Sequence, residues 1–339
     1  MRVTIKDIAR ECGVSVSTVS LALSNKPSRV AKATKNRVIK TAERLNYQPN
    51  RAAVSLVTNH SKLIGLVISD LRNAHVASFF MAIDLVVQRK GYALLCHILN
   101  DDSLEPSHIV DEFMAANVEG IILGQPYVQD SDSKYASLKD YLNKVNIPIV
   151  TRDIFGLERN GADVCTNYFK GGYMATKHLI EYGHSKIGCL CGDRRFKVTK
   201  ERLEGYKYAL EEARIKYDEN MIFYGDYTMA SGSASLPYFL KQKASAIFSF
   251  NDEMAFGIFK KARQEGVVIP RDLSLIGFDN IPYSDIVDVP LTTIHVPIDE
   301  IGKRVAQEIM YFIENDKDDK RRQIMYEPEL ILRESTIPI

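Results

Sequence analysis

The sequence predicts two folds in one chain: an α-helical helix-turn-helix head, followed by an α/β region of two doubly wound lobes. Three observations lead there. Residues 1–62 carry twelve Lys and Arg against three acids, a net +9, while the rest of the chain carries −8, although the whole is only +1. A compact basic segment of that kind suits a polyanion. Within it, apolar residues recur at helical spacing around a glycine turn. After Lys62, short apolar runs alternate with helical patterns, as parallel sheets with crossover helices require. At 339 residues with 45% apolar side chains, the chain has length for two or three domains and material to fill their cores.

In the head, Thr4-Ile5-Lys6-Asp7 has the form of a capping box, and Ile5, Ile8, Ala9 and Cys12 mark one face of a first short helix. Gly13 supplies the left-handed turn that ends it. Val14 then enters the core and Ser15 caps a second helix reaching about Leu23. A third helix from about Lys32 to Leu45 would bury Val38, Ala42 and Leu45 and leave Lys35, Arg37, Lys40 and Arg44 outward. In such a module the start of the second helix meets the major groove, so Val16, Ser17 and Leu21 are the expected base-facing residues. Val16 and Leu21 suit thymine methyls and Ser17 a base edge or phosphate. No Arg-guanine fork is available there, and DNA shape is expected to carry part of the specificity.

These segments, with Ser17-Thr18-Val19-Ser20 and Leu45-Asn46-Tyr47-Gln48-Pro49-Asn50, resemble the lac repressor/galactose repressor family. The resemblance implies a DNA-binding set of Thr4, Ser15, Val16, Ser17, Thr18, Ser20, Leu21 and Asn25. It also implies a hinge helix that forms on DNA, with Asn50, Arg51, Ala53 and Leu56 at the duplex. Pro49 can break the chain, Asn50 can cap a helix, and Leu56 is an apolar wedge able to unstack a central base step.

Beyond the head, apolar runs at 63–69, 92–99, 120–123, 147–153, 187–191, 246–250 and 273–278 read as strands. Helical patterns at 79–90, 106–116, 171–182, 201–214 and 252–265 fall between them. The same family covers this region through Gly171-Gly172-Tyr173-Met174-Ala175, Arg202-Leu203-Glu204-Gly205-Tyr206, Asn251-Asp252-Glu253-Met254-Ala255, Gly277-Phe278-Asp279-Asn280 and Leu291-Thr292-Thr293-Ile294. It implies lobes similar to periplasmic sugar-binding proteins, with three crossings near 161, 292 and 323. The expected division is a helix-turn-helix domain over 1–48 and a hinge helix over 49–60. The first lobe then takes 61–160 with 293–322, and the second 161–292 with 323–339.

Ligands of open α/β sheets bind beyond the carboxyl ends of the strands, which points to Asp153, Asn251, Asp252 and Asp279 as hydroxyl-binding groups. The resemblance adds Arg202, able to fork two ligand oxygens, and Tyr227 as a stacking ring. The family's Asn-Pro-aromatic-aromatic loop stands here as Asn73-Ala74-His75-Val76. Asn73 and His75 join the expected effector set, two stacking rings are missing, and Arg152 adds a charge beside Asp153. A carbohydrate effector is expected, with a phosphorylated or acidic one suggested by those departures.

Catalysis is not expected: the chain has no phosphate-cradling Gly-Lys-Ser/Thr loop, no paired metal histidines and no serine nucleophile elbow. No cofactor or metal is implied. The five scattered cysteines read as buried thiols, and no signal peptide or membrane anchor is seen, which suits a cytoplasmic protein and argues against an exported transport protein. The expected partners are a pseudo-palindromic operator, a small effector and a second copy of the chain. Repression is the expected outcome; the alternative is a carbon-control regulator switched by a phosphoprotein.

Overall fold

The computed structural model describes residues 3–24, 29–48, 54–55, 60–98, 106–124, 139–153, 157–158, 160–315 and 320–339. The chain divides into two units, residues 1–62 and 63–339.

The first unit is a three-helix module of Ile5–Cys12, Val16–Leu23 and Lys32–Arg44. Its first helix opens as expected: the Thr4 backbone N–H and hydroxyl both donate to Asp7 Oδ2, at 2.9 and 2.7 Å. Gly13 at φ 61° ends it in the left-handed conformation. Ser15 Oγ accepts the Thr18 N–H at 3.1 Å and starts the second helix. Ile8, Ala9, Cys12, Val19, Ala22, Val38 and Ala42 make the core, with Leu45 half-buried just past the third helix. Of the expected hinge, only 54, 55 and 60 are described, and Val54 and Ser55 are helical.

The second unit holds two six-stranded sheets. Strands are β1 Leu63–Ile68, β2 Ala93–Ile98, β3 Ile121–Gly124, β4 Ile149–Arg152, β5 Gly161–Thr166 and β6 Ile187–Cys191. They continue as β7 Ile222–Tyr224, β8 Ala246–Ser249, β9 Ser274–Asp279, β10 Thr292–His295, β11 Arg321–Tyr326 and β12 Glu329–Ile331. The first sheet runs β11-β5-β4-β3-β1-β2 and is parallel throughout. The second runs β12-β10-β9-β8-β6-β7, parallel except for antiparallel β12 at its edge. Central strands such as β3, β6, β8 and β9 are buried along their whole length, as parallel strands covered by helices on both faces must be.

The lobes exchange the chain slightly later than the sequence suggested. β5 pairs with β4, so the first crossing follows Thr166; β10 pairs with β9, so the second follows His295; and β11 pairs with β5, so the third follows Tyr326. Each crossing lies at the carboxyl end of a strand. Apolar pattern alone does not show those last residues, because β5 contains Asp163 and β11 opens with two arginines. Arg321 and Asp163 form a buried ion pair that also engages the Thr151 hydroxyl, which pins β11 to its neighbours.

Candidate DNA-reading face and effector cleft

In the head, Val16, Ser17, Ser20 and Leu21 lie on one exposed face of the second helix, while Val19 and Ala22 point into the core. Residues at i, i+1, i+4 and i+5 share one side of a helix, so this face is a patch that a groove can take up whole. Val16 is 41% and Leu21 50% exposed, so neither serves the core. Thr4 and Thr18 lie beside the two helix starts. The Ser15 hydroxyl is committed to the cap, within 2.8 Å of both the Ser17 and Thr18 hydroxyls. Asn25, Asn50, Arg51, Ala53 and Leu56 lie outside the described residues.

In the large unit a cavity of about 250 Å³ opens between the sheets at their carboxyl ends. Its first-lobe wall comes from the turn after β1 and the start of the Ala74–Arg89 helix, with Arg152 ending β4. Its second-lobe wall comes from Tyr168, Phe196, Arg202, Tyr227, Asn251 and Asp279. Asn73 Oδ1 accepts the His75 and Val76 N–H groups at 3.0 and 3.2 Å and so starts its helix five residues before the apolar pattern does. That cap turns His75 inward.

Arg152 Nη2 lies 2.8 Å from His75 Nε2 and 3.2 Å from the Tyr168 hydroxyl, and its Nε lies 3.2 Å from Asp153 Oδ2. A guanidinium only donates, so His75 Nε2 must accept and the ring proton sits on Nδ1. Burial, helped by the Arg152 and Arg202 charges, holds the His75 pKa well below its usual range and the ring stays neutral. Its Nδ1 faces Asp279 Oδ1 at 3.9 Å. Arg202 is buried with its guanidinium 3.8 Å above the Phe278 ring. It donates through Nη1 to the Phe250 carbonyl and places Nη2 3.5 Å from Asp279 Oδ1. Burial nonetheless outweighs this attraction and pushes the Asp279 carboxyl up to about 7.

Among the described residues, the buried polar atoms without a hydrogen-bond partner include four on cavity-lining residues: His75 Nδ1, Arg152 Nε, Arg202 Nε and Asp279 Oδ1. Unpartnered buried groups are costly, and four in one cavity mark a place built for a ligand. Phe196 and Tyr227 supply an aromatic wall, their rings 5.8 Å apart and the Tyr227 hydroxyl tied to Thr199 at 2.6 Å.

Residues 4–50 match the model of bacterial regulatory proteins of the lacI family, and residues 176–336 match that of a periplasmic binding protein-like domain. The HTH-type transcriptional repressor PurR of Vibrio atlanticus (strain LGP32) is 36% identical over 334 residues, 97% of each chain. The chain belongs to the lacI family of bacterial regulatory proteins. The lac repressor dimer, solved on operator with the anti-inducer ONPF, shares its fold at a TM-score of 0.87 and 24% identity over 99% of this chain and all of that one. A lacI-family regulator from Enterococcus faecium with bound ribose matches at a TM-score of 0.72 and 25% identity, over 82% of this chain and 99% of that one. This lacI-family protein is a DNA-binding transcription regulator with an effector-binding domain.

The cleft brings together Asn73, His75, Arg202, Tyr227, Asn251 and Asp279, but two expected residues lie outside its lining. Asp153, left-handed at φ 60°, accepts the Thr166 N–H and the Tyr168 hydroxyl, both at 2.9 Å, and faces Arg152 from behind. It positions Arg152 and Tyr168 and offers no lone pair to the cavity. Asp252 is fully buried: Oδ1 accepts the Thr293 hydroxyl, and Oδ2 accepts the Ile281 N–H and the Ser284 hydroxyl. Burial lifts its carboxyl to about 6. Its approach explains Gly277, where a Cβ would lie 2.2 Å from Asp252 Oδ1. Asn251 spends Oδ1 on the Met254 N–H and donates one Nδ2 hydrogen to the Tyr227 carbonyl, which leaves the other for the cavity.

Arg152 also differs from expectation. His75, Tyr168 and Asp153 surround its guanidinium inside the protein, while its buried Nε makes no hydrogen bond. Sequence reasoning missed Tyr168, Phe196 and Glu253 as cavity residues. Tyr168 follows the helix cap Asn167, a signal for a helix start but not for which lobe its ring would meet.

Among the described residues, no helix is long and apolar enough to cross a membrane.

Proposed function

We propose that this regulator represses transcription in the cytoplasm as a homodimer on a pseudo-palindromic operator, and that a small neutral effector between its lobes sets its DNA affinity. One observation carries the effector reading: four buried, unpartnered polar atoms from both lobes, on His75, Arg152, Arg202 and Asp279, belong to residues that line one cavity. Its volume, about 250 Å³, lies just under the roughly 300–1,000 Å³ of ordinary ligand pockets, which suits a monosaccharide-sized molecule. The ribose in the Enterococcus faecium regulator is such a molecule. The exposed Val16, Ser17, Ser20 and Leu21 face supports groove reading by two heads. Exposed Met81, Leu85, Tyr283 and Ile286 on the large unit supply apolar area for a second copy. Residues 49–60 act as the hinge, with Leu56 as the minor-groove wedge.

The test is operator affinity with and without a panel of neutral sugars and polyols, at one fixed salt concentration, in wild type and Asp279→Ala. A sugar should change operator affinity in wild type, and the mutant should bind operator normally but need about tenfold to a hundredfold more of that sugar. A response that survives intact in Asp279→Ala rejects the cleft. Co-purification with a phosphoprotein that alone changes operator affinity would favour the docking alternative, because a surface partner would not sense a buried carboxylate.

A further inference from the structure

We propose that His75 and Asp279 clamp one hydroxyl of the effector between the lobes, which makes the effector a neutral sugar or polyol selected by that hydroxyl; this rests on the cleft reading above. His75 belongs to the Ala74–Arg89 helix of the first lobe and Asp279 ends β9 in the second. Both are 7% exposed, both line the cavity, and His75 Nδ1 and Asp279 Oδ1 are each without a partner.

The two atoms are complementary in sign. Arg152 occupies His75 Nε2 at 2.8 Å as a donor, so Nδ1 carries the hydrogen and can only give. Asp279 Oδ1 can only receive once its carboxyl is ionised, above about pH 7. Their separation of 3.9 Å is too long for a direct bond. Two hydrogen bonds of about 2.8 Å meeting at the tetrahedral angle at one oxygen span about 4.6 Å, so the two atoms need part by only about 0.7 Å to admit it. A hydroxyl accepts through a lone pair and donates through its hydrogen, so a single alcohol oxygen satisfies both groups. A phosphate or carboxylate oxygen would satisfy His75 but oppose Asp279. The charge balance points the same way, since Arg152 is neutralised by Asp153 and Arg202 is directed at Asp279.

Because the donor and the acceptor come from different lobes, the hydroxyl is bound fully only when the lobes stand as they do here. Selectivity and lobe closure therefore share one contact.

The test uses the full-length protein and titration calorimetry with D-ribose, D-glucose, D-fructose and D-galactose, their monodeoxy analogues and their phosphate esters. At least one neutral sugar should saturate, and its phosphate ester should bind more weakly. One monodeoxy analogue should lose about tenfold in affinity for wild type and nothing further for His75→Phe, which keeps a ring and removes the donor. His75→Gln, whose amide can donate, should restore part of the discrimination. Nitrogen-15 NMR of wild type should show His75 protonated at Nδ1; protonation at Nε2 instead would overturn the clamp even if His75→Phe failed to fold. A sugar that requires Asp279 but shows the same deoxy losses in wild type and His75→Phe overturns the clamp and leaves the cleft reading standing. Tighter binding of an ester overturns the neutral effector, and saturation by none of the sugars overturns both readings.

Discussion

Glu253 reaches from the second lobe to the first, where its Oε1 accepts the backbone N–H of Ala74 at 3.1 Å. Ala74 is the first residue of its helix, and the opening N–H groups of a helix have no partner within it. Asn73 takes the N–H groups of His75 and Val76, so the third is completed only by the opposite lobe. The favourable helix-end dipole reinforces a carboxylate at that place.

Removing this bond should loosen the closed arrangement, and because Glu253 also lines the cavity, the radius of the free protein separates that effect from a lost ligand contact. Glu253→Ala is expected to weaken effector binding about threefold to tenfold, the worth of one ordinary hydrogen bond. Small-angle scattering should show a larger radius for the mutant without effector and a wild-type radius at saturation. Equal radii and equal affinities would mean that the contact does not hold the lobes together.

Asp279 gives the protein a pH dependence whose sign follows from burial. Its carboxyl titrates at about 7 in the fold against 3.8 ordinarily. Between those values the unfolded chain has released its proton and the folded chain has not, so stability falls as pH rises from about 4 to 7 and the full cost persists above 7. Asp279→Asn removes that ionisation and keeps an acceptor for Arg202. It should melt above wild type at pH 8 and level with it near pH 4, with a difference of at most about 4 kcal/mol, since one pKa unit is worth about 1.4 kcal/mol. A mutant less stable than wild type at pH 8 would show that the pairing with Arg202 outweighs burial.

The helix starts and strand runs were legible because their causes are local. Thr4, Gly13 and Ser15 act within three or four residues, and runs such as Ile187–Cys191 are apolar throughout. Helix Met229–Lys241 was missed because Gly232 and Pro237 interrupt it. Strand ends mark the cleft but do not say which carboxylates face it. Asp252 is claimed by Ile281, Ser284 and Thr293, and Asp153 by Thr166 and Tyr168, and nothing at 153 or 252 foretells those partners. The pattern shows the missing rings at His75, while the tautomer that gives His75 its role depends on Arg152, 77 residues away.

In the hinge, Leu56→Ala removes the expected wedge and leaves the basic head intact. Operator affinity should fall by more than non-specific affinity, and the operator should bend less, since the kink depends on an inserted apolar side chain. Unchanged bending and affinity would reduce Leu56 to a linker residue.

The last prediction concerns how Arg202 is held at the right depth. Its helix, Lys197–Glu212, lies against Tyr168–Glu181 so closely that a Cβ at Gly205 would stand 2.1 Å from the Phe169 carbonyl oxygen and 2.6 Å from the Tyr173 nitrogen. The reverse contact is as tight: a Cβ at Gly172 would meet the Arg202 carbonyl oxygen at 2.2 Å. Backbone atoms cannot turn aside as a side chain does, so Gly205→Ala must part the helices. Arg202 lies one turn before Gly205 and would be drawn off the Phe278 ring and away from Asp279, now 3.8 and 3.5 Å distant. Overpacking of this kind costs about 1 to 3 kcal/mol, which should lower the melting temperature of the large unit by several degrees, about 2 to 4 °C for each kcal/mol in a domain of this size. Effector affinity should fall beyond what the lost stability explains at temperatures where the mutant is fully folded. Operator binding without effector should remain near wild type, because the base-facing residues lie in the other unit. Wild-type effector affinity in a folded Gly205→Ala protein would show that the depth of Arg202 does not depend on this helix contact.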